Sequence, residues 1–229
     1  MNISLPAPDS DALEHSAALV SFIQHQIKKA GGWIDFAQFM NSALYAPSLG
    51  YYSSGAKKFG LAGDFVTAPE ISPMFGQCFA KQVQQILCAV REQSANADVL
   101  ELGAGTGRLA HDLLSELDRL DQLPDHYFIL EVSAHLRDEQ HRNLKSELPE
   151  EIASRIFWLD TMPESFRGVV IANEVLDALP VHIVERRVSS INEVGVSLEN
   201  ERFVWKSQRL ESKGLLDFAT KLELSEGYV

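Results

Sequence analysis

Cysteine is scarce in this chain, acids outnumber bases, and no apolar run is long. Of 229 residues only 2 are cysteines, Cys78 and Cys88, and both fall on what reads as one helix. Ten residues of helix separate them by about 15 Å, too far to pair with each other, so no disulfide scaffold is expected. The 7 histidines show no metal-ligand spacing with one another or with the cysteines, and no metal site is expected. With 20 lysines and arginines against 32 aspartates and glutamates, the formal charge is −12. That balance argues against nucleic-acid or anionic-membrane binding, which needs basic surface to displace counterions. No apolar run nears the roughly 20 residues that cross a bilayer. The first residues, with Asp9, Asp11 and Glu14, lack the basic start and apolar stretch of a signal peptide. Membrane insertion is therefore not expected, and a cytoplasmic location is the default expectation. What remains is ordinary for a globular chain: 45% hydrophobic and 23% charged residues, enough for one good core and a smaller module.

The most informative segment is residues 97–114. Val99, Leu100 and Leu102 form the short apolar run of a strand buried on both faces. Leu109, Leu113 and Leu114 come next at helical spacing. Between them lie Gly103, Gly105 and Gly107. A glycine turn between strand and helix stands at the carboxyl end of the strand, where open α/β sheets bind ligands and a helix amino terminus adds unpaired amides. Gly103 is expected to turn tightly, Gly105 to let the backbone approach a ligand, and Gly107 to let the helix pack against the strand. The spacing Gly-x-Gly-x-Gly differs from the dinucleotide fingerprint, and Glu101 precedes it. A carboxylate there repels a pyrophosphate and attracts an ammonium by about 1 to 4 kcal/mol at 4 Å. S-adenosylmethionine (SAM), with its α-ammonium and sulfonium, fits better than NAD, the cofactor of a nucleotide-dependent oxidoreductase. A ligand-free connection is the plain alternative. Glu131, at the end of the next expected strand (127–132), occupies the position of an acid that accepts from ribose hydroxyls; otherwise it is a solvated strand-end carboxylate.

Helices are expected over about 11–30, capped by Ser10, over 35–45, and from Ser72 and Pro73 to about 91, the last packed under the first strand. The loop 46–73, carrying Tyr51, Tyr52, Phe59 and Phe65, is too aromatic for simple disorder and reads as a lid or substrate wall. Strands near 99–102, 127–132, 155–159 and 168–173 alternate with helices around 107–119 and 134–147, which implies a parallel sheet. After Pro180, residues 182–189, 193–198 and 202–206 read as a meander, succeeded by a weak helix around 215–224. The expected organisation is therefore an N-terminal helical segment and lid over 1–72, a cofactor-binding core over 73–180, and the meander with the start of a further part over 181–229.

Two segments are unusually rich in small, acidic and turn-forming residues: GlyAspPheValThrAlaProGluIleSer at 63–72 and AsnGluValLeuAspAlaLeuPro at 173–180. The second comes after the fourth strand and should face the same crevice as the glycine loop, bringing Asn173, Glu174 and Asp177 beside the reactive end of a cofactor. Together with TyrAlaProSerLeuGlyTyrTyr at 45–52, GluLeuGlyAlaGlyThrGly at 101–107 and GluValSer at 131–133, these motifs resemble the MidA-like class I SAM-dependent methyltransferases. That family includes a mitochondrial complex I assembly factor and has been linked to protein arginine methylation. The resemblance implies a Rossmann-like class I methyltransferase core with an N-terminal helical module and a β-meander. It implies SAM contacts from Glu101, Gly103, Gly105 and Gly107, ribose contacts from Glu131, and a lid contribution from Gly63, Asp64 and Thr67. It implies a protein substrate, with arginine the suggested acceptor. Glu174 and Asp177, with Asn173, are the candidates to hold it, or else they cap the next helix. A second implied reading is a partner-binding assembly factor with little catalysis. Relatives of this family continue past residue 229, so the chain is expected to be a piece whose sheet is incomplete at its carboxyl end, leaving an edge open.

Overall fold

Four of the helices begin where the sequence supplies a side-chain cap. The computed structural model describes residues 7–54, 66–222, 225 and 227. In chain order the elements are α1 (Ser10–Lys29), β1 (Trp33–Asp35), α2 (Phe36–Tyr45), α3 (Ala68–Ile71), α4 (Pro73–Arg91), β2 (Asp98–Leu102), α5 (Arg108–Arg119), β3 (Tyr127–Leu130), α6 (Ala134–Glu147), α7 (Glu150–Ala153), β4 (Ile156–Leu159), β5 (Gly168–Ile171), β6 (Ile183–Arg187), β7 (Ser190–Glu199), β8 (Arg202–Arg209) and α8 (Lys213–Lys221). Asp9, not Ser10, caps α1, because its carboxylate reaches the Ala12 amide at 2.8 Å. Asp35 caps α2 through Gln38 N–H, and Ser72 caps α4 with Pro73 at the first position. Each satisfies an amide that has no partner within its helix.

Contacts divide the chain into two units, residues 1–54 with 179–229 and residues 55–178, where the sequence suggests three consecutive segments. The second unit is the α/β core. Its sheet is parallel, in the order β4-β3-β2-β5, with Val99 opposite both Tyr127 and Val169. Val99 and Leu100 point to opposite faces and both are fully buried, as a central parallel strand requires. Ala80, Val83 and Leu87 of α4, Leu113, Leu114 and Leu117 of α5, and Leu144 of α6 build the core with Val99, Tyr127 and Ile129. Gly76 lets α4 lie close against α5, since a Cβ there would fall 2.6 Å from Asp112 Cβ.

The first unit shows why the meander and the amino-terminal helices are one body. β7 pairs with β8 from Asn192 to Glu199 on one edge; on the other edge it pairs first with β6 and then with β1, Asp35 opposite Gly195. Strand β1 has three residues, too short to leave a periodic trace in the sequence. Its Ile34 joins Ile23 and Ile27 of α1 and Val196 of β7 in a separate core, and Phe39 of α2 meets Phe203 edge-on at 5.5 Å. Residues 46–54 fold back on α2, Tyr51 N–H bonding to Ala43 O and Tyr52 N–H to Leu44 O.

Candidate cofactor site

The parallel sheet turns direction between β2 and β5: from β2 the chain proceeds through β3 to β4 on one side, while β5 lies on the other. Ligands of open α/β sheets bind at the carboxyl ends of strands at such a switch point. The glycine loop stands there. Gly103, Gly105 and Gly107 have φ of 63°, 56° and 87°, a region costly to side chains. A Cβ on Gly107 would press on Leu144 Cγ at 3.3 Å, so this glycine admits α6 rather than the strand expected to lie there. A Cβ on Gly105 would meet nothing within 4 Å; it is the open crest of the loop, where a ligand can lie against bare backbone at the positive end of α5.

A web of hydrogen bonds fixes the loop from below. Gln140 of α6 is 0% exposed. Its Nε2 donates to Gly105 O at 2.8 Å and to Glu131 Oε2 at 3.1 Å, while its Oε1 accepts from Trp158 Nε1 at 2.9 Å. Asn143, one turn on, donates to Thr106 O, and the Thr106 hydroxyl donates to Glu70 Oε1 at 2.5 Å. Glu70 belongs to the 63–72 motif, so that motif reaches the glycine loop through a residue to which the sequence assigns no role.

The two acids of the site differ. Glu131, just past β3, accepts from Ser133 N–H as well as from Gln140. Burial pushes its carboxyl above the usual carboxylate range, and the Ser133 and Gln140 bonds oppose that rise. Each oxygen retains lone-pair capacity for a hydroxyl, as a ribose requires. Glu101 is only 2% exposed and accepts from the Tyr127 hydroxyl at 2.7 Å. Burial raises its carboxyl to about 7, against the lowering effect of Tyr127 and with help from the Glu131 charge. Its carboxylate is thus closed off behind the loop rather than displayed in the crevice.

After β5, which ends level with β2 through the Glu101 and Ile171 pairing, the chain turns beside the loop. A Cβ on Gly103 would lie 3.1 Å from Val175 Cγ2. Asn173 is half-buried; Glu174 and Asp177 are exposed and make no hydrogen bond or ion pair among the described residues. Glu174 holds φ at +52°, uncommon for a glutamate. The next element is a three-residue 3-10 turn, Leu176–Ala178, not a helix awaiting a cap. Of the expected lid residues, Gly63 and Asp64 lie outside the described residues, and Thr67 immediately precedes α3 without capping it. Sequence reasoning misses Tyr127, Gln140, Trp158, Glu70, Thr106 and Asn143. Gln140 alone leaves a trace: it stands between Leu136 and Leu144 at four-residue spacing, a polar residue on the inward stripe of a helix.

Bare glycine backbone, an ordered ribose acceptor and nearby acids suit a nucleoside cofactor carrying positive charge. Residues 78–229 match the model of a family of S-adenosyl-L-methionine-dependent methyltransferases. The protein arginine methyltransferase NDUFAF7 homolog, mitochondrial, of Caenorhabditis elegans is 30% identical over 95% of the chain and 56% of its own length. NDUFAF7 of Danio rerio is 30% identical over 79% of the chain and 48% of its own length. The chain thus spans about half the length of the curated relatives it matches. A protein from Burkholderia thailandensis crystallised with S-adenosyl-homocysteine is 43% identical, with a TM-score of 0.83 over 98% of the chain and 58% of that protein. The expectation of a cytoplasmic location is overturned, because the curated relatives from C. elegans, D. rerio and Bos taurus are mitochondrial proteins.

Proposed function

The chain belongs to the S-adenosyl-L-methionine-dependent methyltransferase family, and from that premise we propose that it takes part in methyl transfer to arginine side chains of a protein. The relatives it matches at 30% identity are named protein arginine methyltransferases, and the turn beside the glycine loop offers two exposed carboxylates, Glu174 and Asp177, that serve no structural partner among the described residues. The observation that carries the reading is the conformation of Glu174: a left-handed backbone typically costs about 1–3 kcal/mol, and residues held so cluster at functional sites.

When bound, the cofactor supplies an electrophilic methyl on its sulfonium. The chain's own residues do the rest. The loop amides and Glu131 fix the nucleoside, while Gln140 keeps the loop and Glu131 in register with each other. Glu101 acts from behind the loop, through its bond with Tyr127, rather than as a displayed carboxylate. Glu174 and Asp177 accept the N–H groups of the guanidinium fork, hold the attacking nitrogen in line, and take up the proton it sheds. Holding the reacting atoms about 3 Å apart supplies much of the rate.

The test is mass spectrometry of peptides from cells with and without the gene, repeated with Glu174→Ala and Asp177→Ala. Arginine methylation should vanish without the gene and with Glu174→Ala, while calorimetry shows S-adenosyl-homocysteine still bound. Methylation unchanged by deletion overturns the reading. Transfer to a nitrogen or oxygen other than arginine's would keep the enzyme class and discard the acceptor.

A further inference from the structure

The junction of β1, β6 and β7 gathers three metal-ligating side chains from distant parts of the sequence. Asp35 ends β1 directly opposite Gly195 of β7. On the same edge of β7, β6 begins with Ile183 opposite Val194, so His182, one residue earlier, arrives at the same place. Glu193 lies two residues from Gly195 and therefore on the same face of the sheet. Ligand atoms of Asp35, His182 and Glu193 all lie within 4.8 Å of one another. Gly195 cannot carry a side chain, since a Cβ would fall 2.2 Å from Ile34 O, so the strands close tightly around this point.

The two carboxylates at this junction have no lysine or arginine partner among the described residues. Glu193 is only 9% exposed, and its side-chain partner among the described residues is His182, whose Nδ1 lies 2.6 Å from Oε1. Asp35 uses one oxygen to cap α2 and keeps the other. Two close carboxylates, one of them buried, need a cation or a proton.

We propose that Asp35, His182 and Glu193 form a binding site for one divalent cation of the zinc class. One imidazole and two carboxylates suit borderline ions such as zinc or cobalt, whereas magnesium and calcium favour all-oxygen shells. The cation takes the place of the direct contact between His182 and Glu193. The two atoms then part to roughly 3 Å, as metal–ligand distances of about 2.0–2.2 Å require. A proton is released on binding, and β1 is stapled to β6.

The experiment uses the purified, chelator-stripped protein carrying Cys78→Ser and Cys88→Ser, both exposed positions, to remove stray thiolate ligands. Equilibrium dialysis against zinc, cobalt, magnesium or calcium is followed by elemental analysis, with the visible spectrum of bound cobalt and the thermal midpoint recorded alongside. One zinc or cobalt ion per chain and a raised midpoint are expected, with binding weakened by more than roughly tenfold in His182→Gln and in Glu193→Gln. Asp35→Asn keeps the helix cap and so tests the third ligand in a folded chain. Absence of one-to-one binding, affinity unchanged in both His182→Gln and Glu193→Gln, or tighter magnesium or calcium binding overturns the proposal.

Discussion

The loop after β2 and the turn after β5 end neighbouring strands at one level, yet they are finished differently. Beneath the glycine loop the polar groups have partners: Gly105 O and Glu131 share the Gln140 amide, Thr106 meets Glu70, and Glu101 meets Tyr127. Along the turn, Glu174 and Asp177 stand in solvent without partners among the described residues, and Glu174 is held in a strained backbone. On the proposed reading, the half that presents the cofactor is preorganised and the half that takes the acceptor keeps its acids free. If this contrast is real, damage to the loop should cost stability and cofactor affinity together, whereas damage to the turn should cost turnover alone.

The largest effect is expected from Gln140→Leu. It removes the donor to Gly105 O and Glu131 and strands the half-buried Trp158 N–H. Unmet groups of this kind cost about 1–3 kcal/mol each, so unfolding free energy should drop by about 3 kcal/mol or more in denaturant titrations, with S-adenosyl-homocysteine binding weakened in parallel. A loss below about 1 kcal/mol would make the web incidental. Next in size is the pH response of Glu101. Between pH 4.5 and about 7 the folded chain holds a proton on Glu101 that the unfolded chain has released. Stability therefore falls as pH rises through that interval, by on the order of 3 kcal/mol above it. Glu101→Gln keeps the Tyr127 bond and should lack this fall, its advantage over the parent growing from pH 4.5 to 7. An equal slope in both proteins would dismiss the buried carboxyl as its source. Gly105→Val ranks third. Forcing a β-branched residue to φ 56° costs about 1–3 kcal/mol, or roughly ten- to hundredfold if expressed in cofactor affinity. Unaltered calorimetric binding would move the cofactor off the loop.

The same contrast explains what is legible in the sequence. The glycine loop is legible because each glycine answers to a backbone need that no other residue meets, and Ser72-Pro73 because caps act locally. Glu131 is legible by its place at a strand end. Gln140 is not, since its role is set by Gly105, Glu131 and Trp158, which become its neighbours only on folding. Strand β1 is hidden for a related reason: Trp33–Asp35 is a strand only because β7 has an edge to spare. The motif suggests that Gly107 faces the strand, whereas its hydrogen looks toward Leu144, far along the chain on α6. Distant pairing also conceals Asp35, His182 and Glu193, whose spacing along the chain resembles no ligand motif.

The smallest effect on stability, and the sharpest on chemistry, is expected at Glu174. Glycine at φ 52° is unstrained, so Glu174→Gly should relieve part of a cost of about 1–3 kcal/mol and leave the protein as stable as the parent or up to about 1 kcal/mol more so. Surface substitutions elsewhere stay within roughly 0.5 kcal/mol of neutral. If Glu174 grips the acceptor, the same change should abolish transfer while binding of S-adenosyl-homocysteine is retained, and Glu174→Gln, which keeps the shape and removes the charge, should fail likewise. A protein that gains stability and loses turnover at one residue shows strain kept for function. Should Glu174→Gly instead lose stability and keep transferring methyl groups, the turn would be scaffolding, and the search for the acceptor's partner would pass to Asp177 and Asn173.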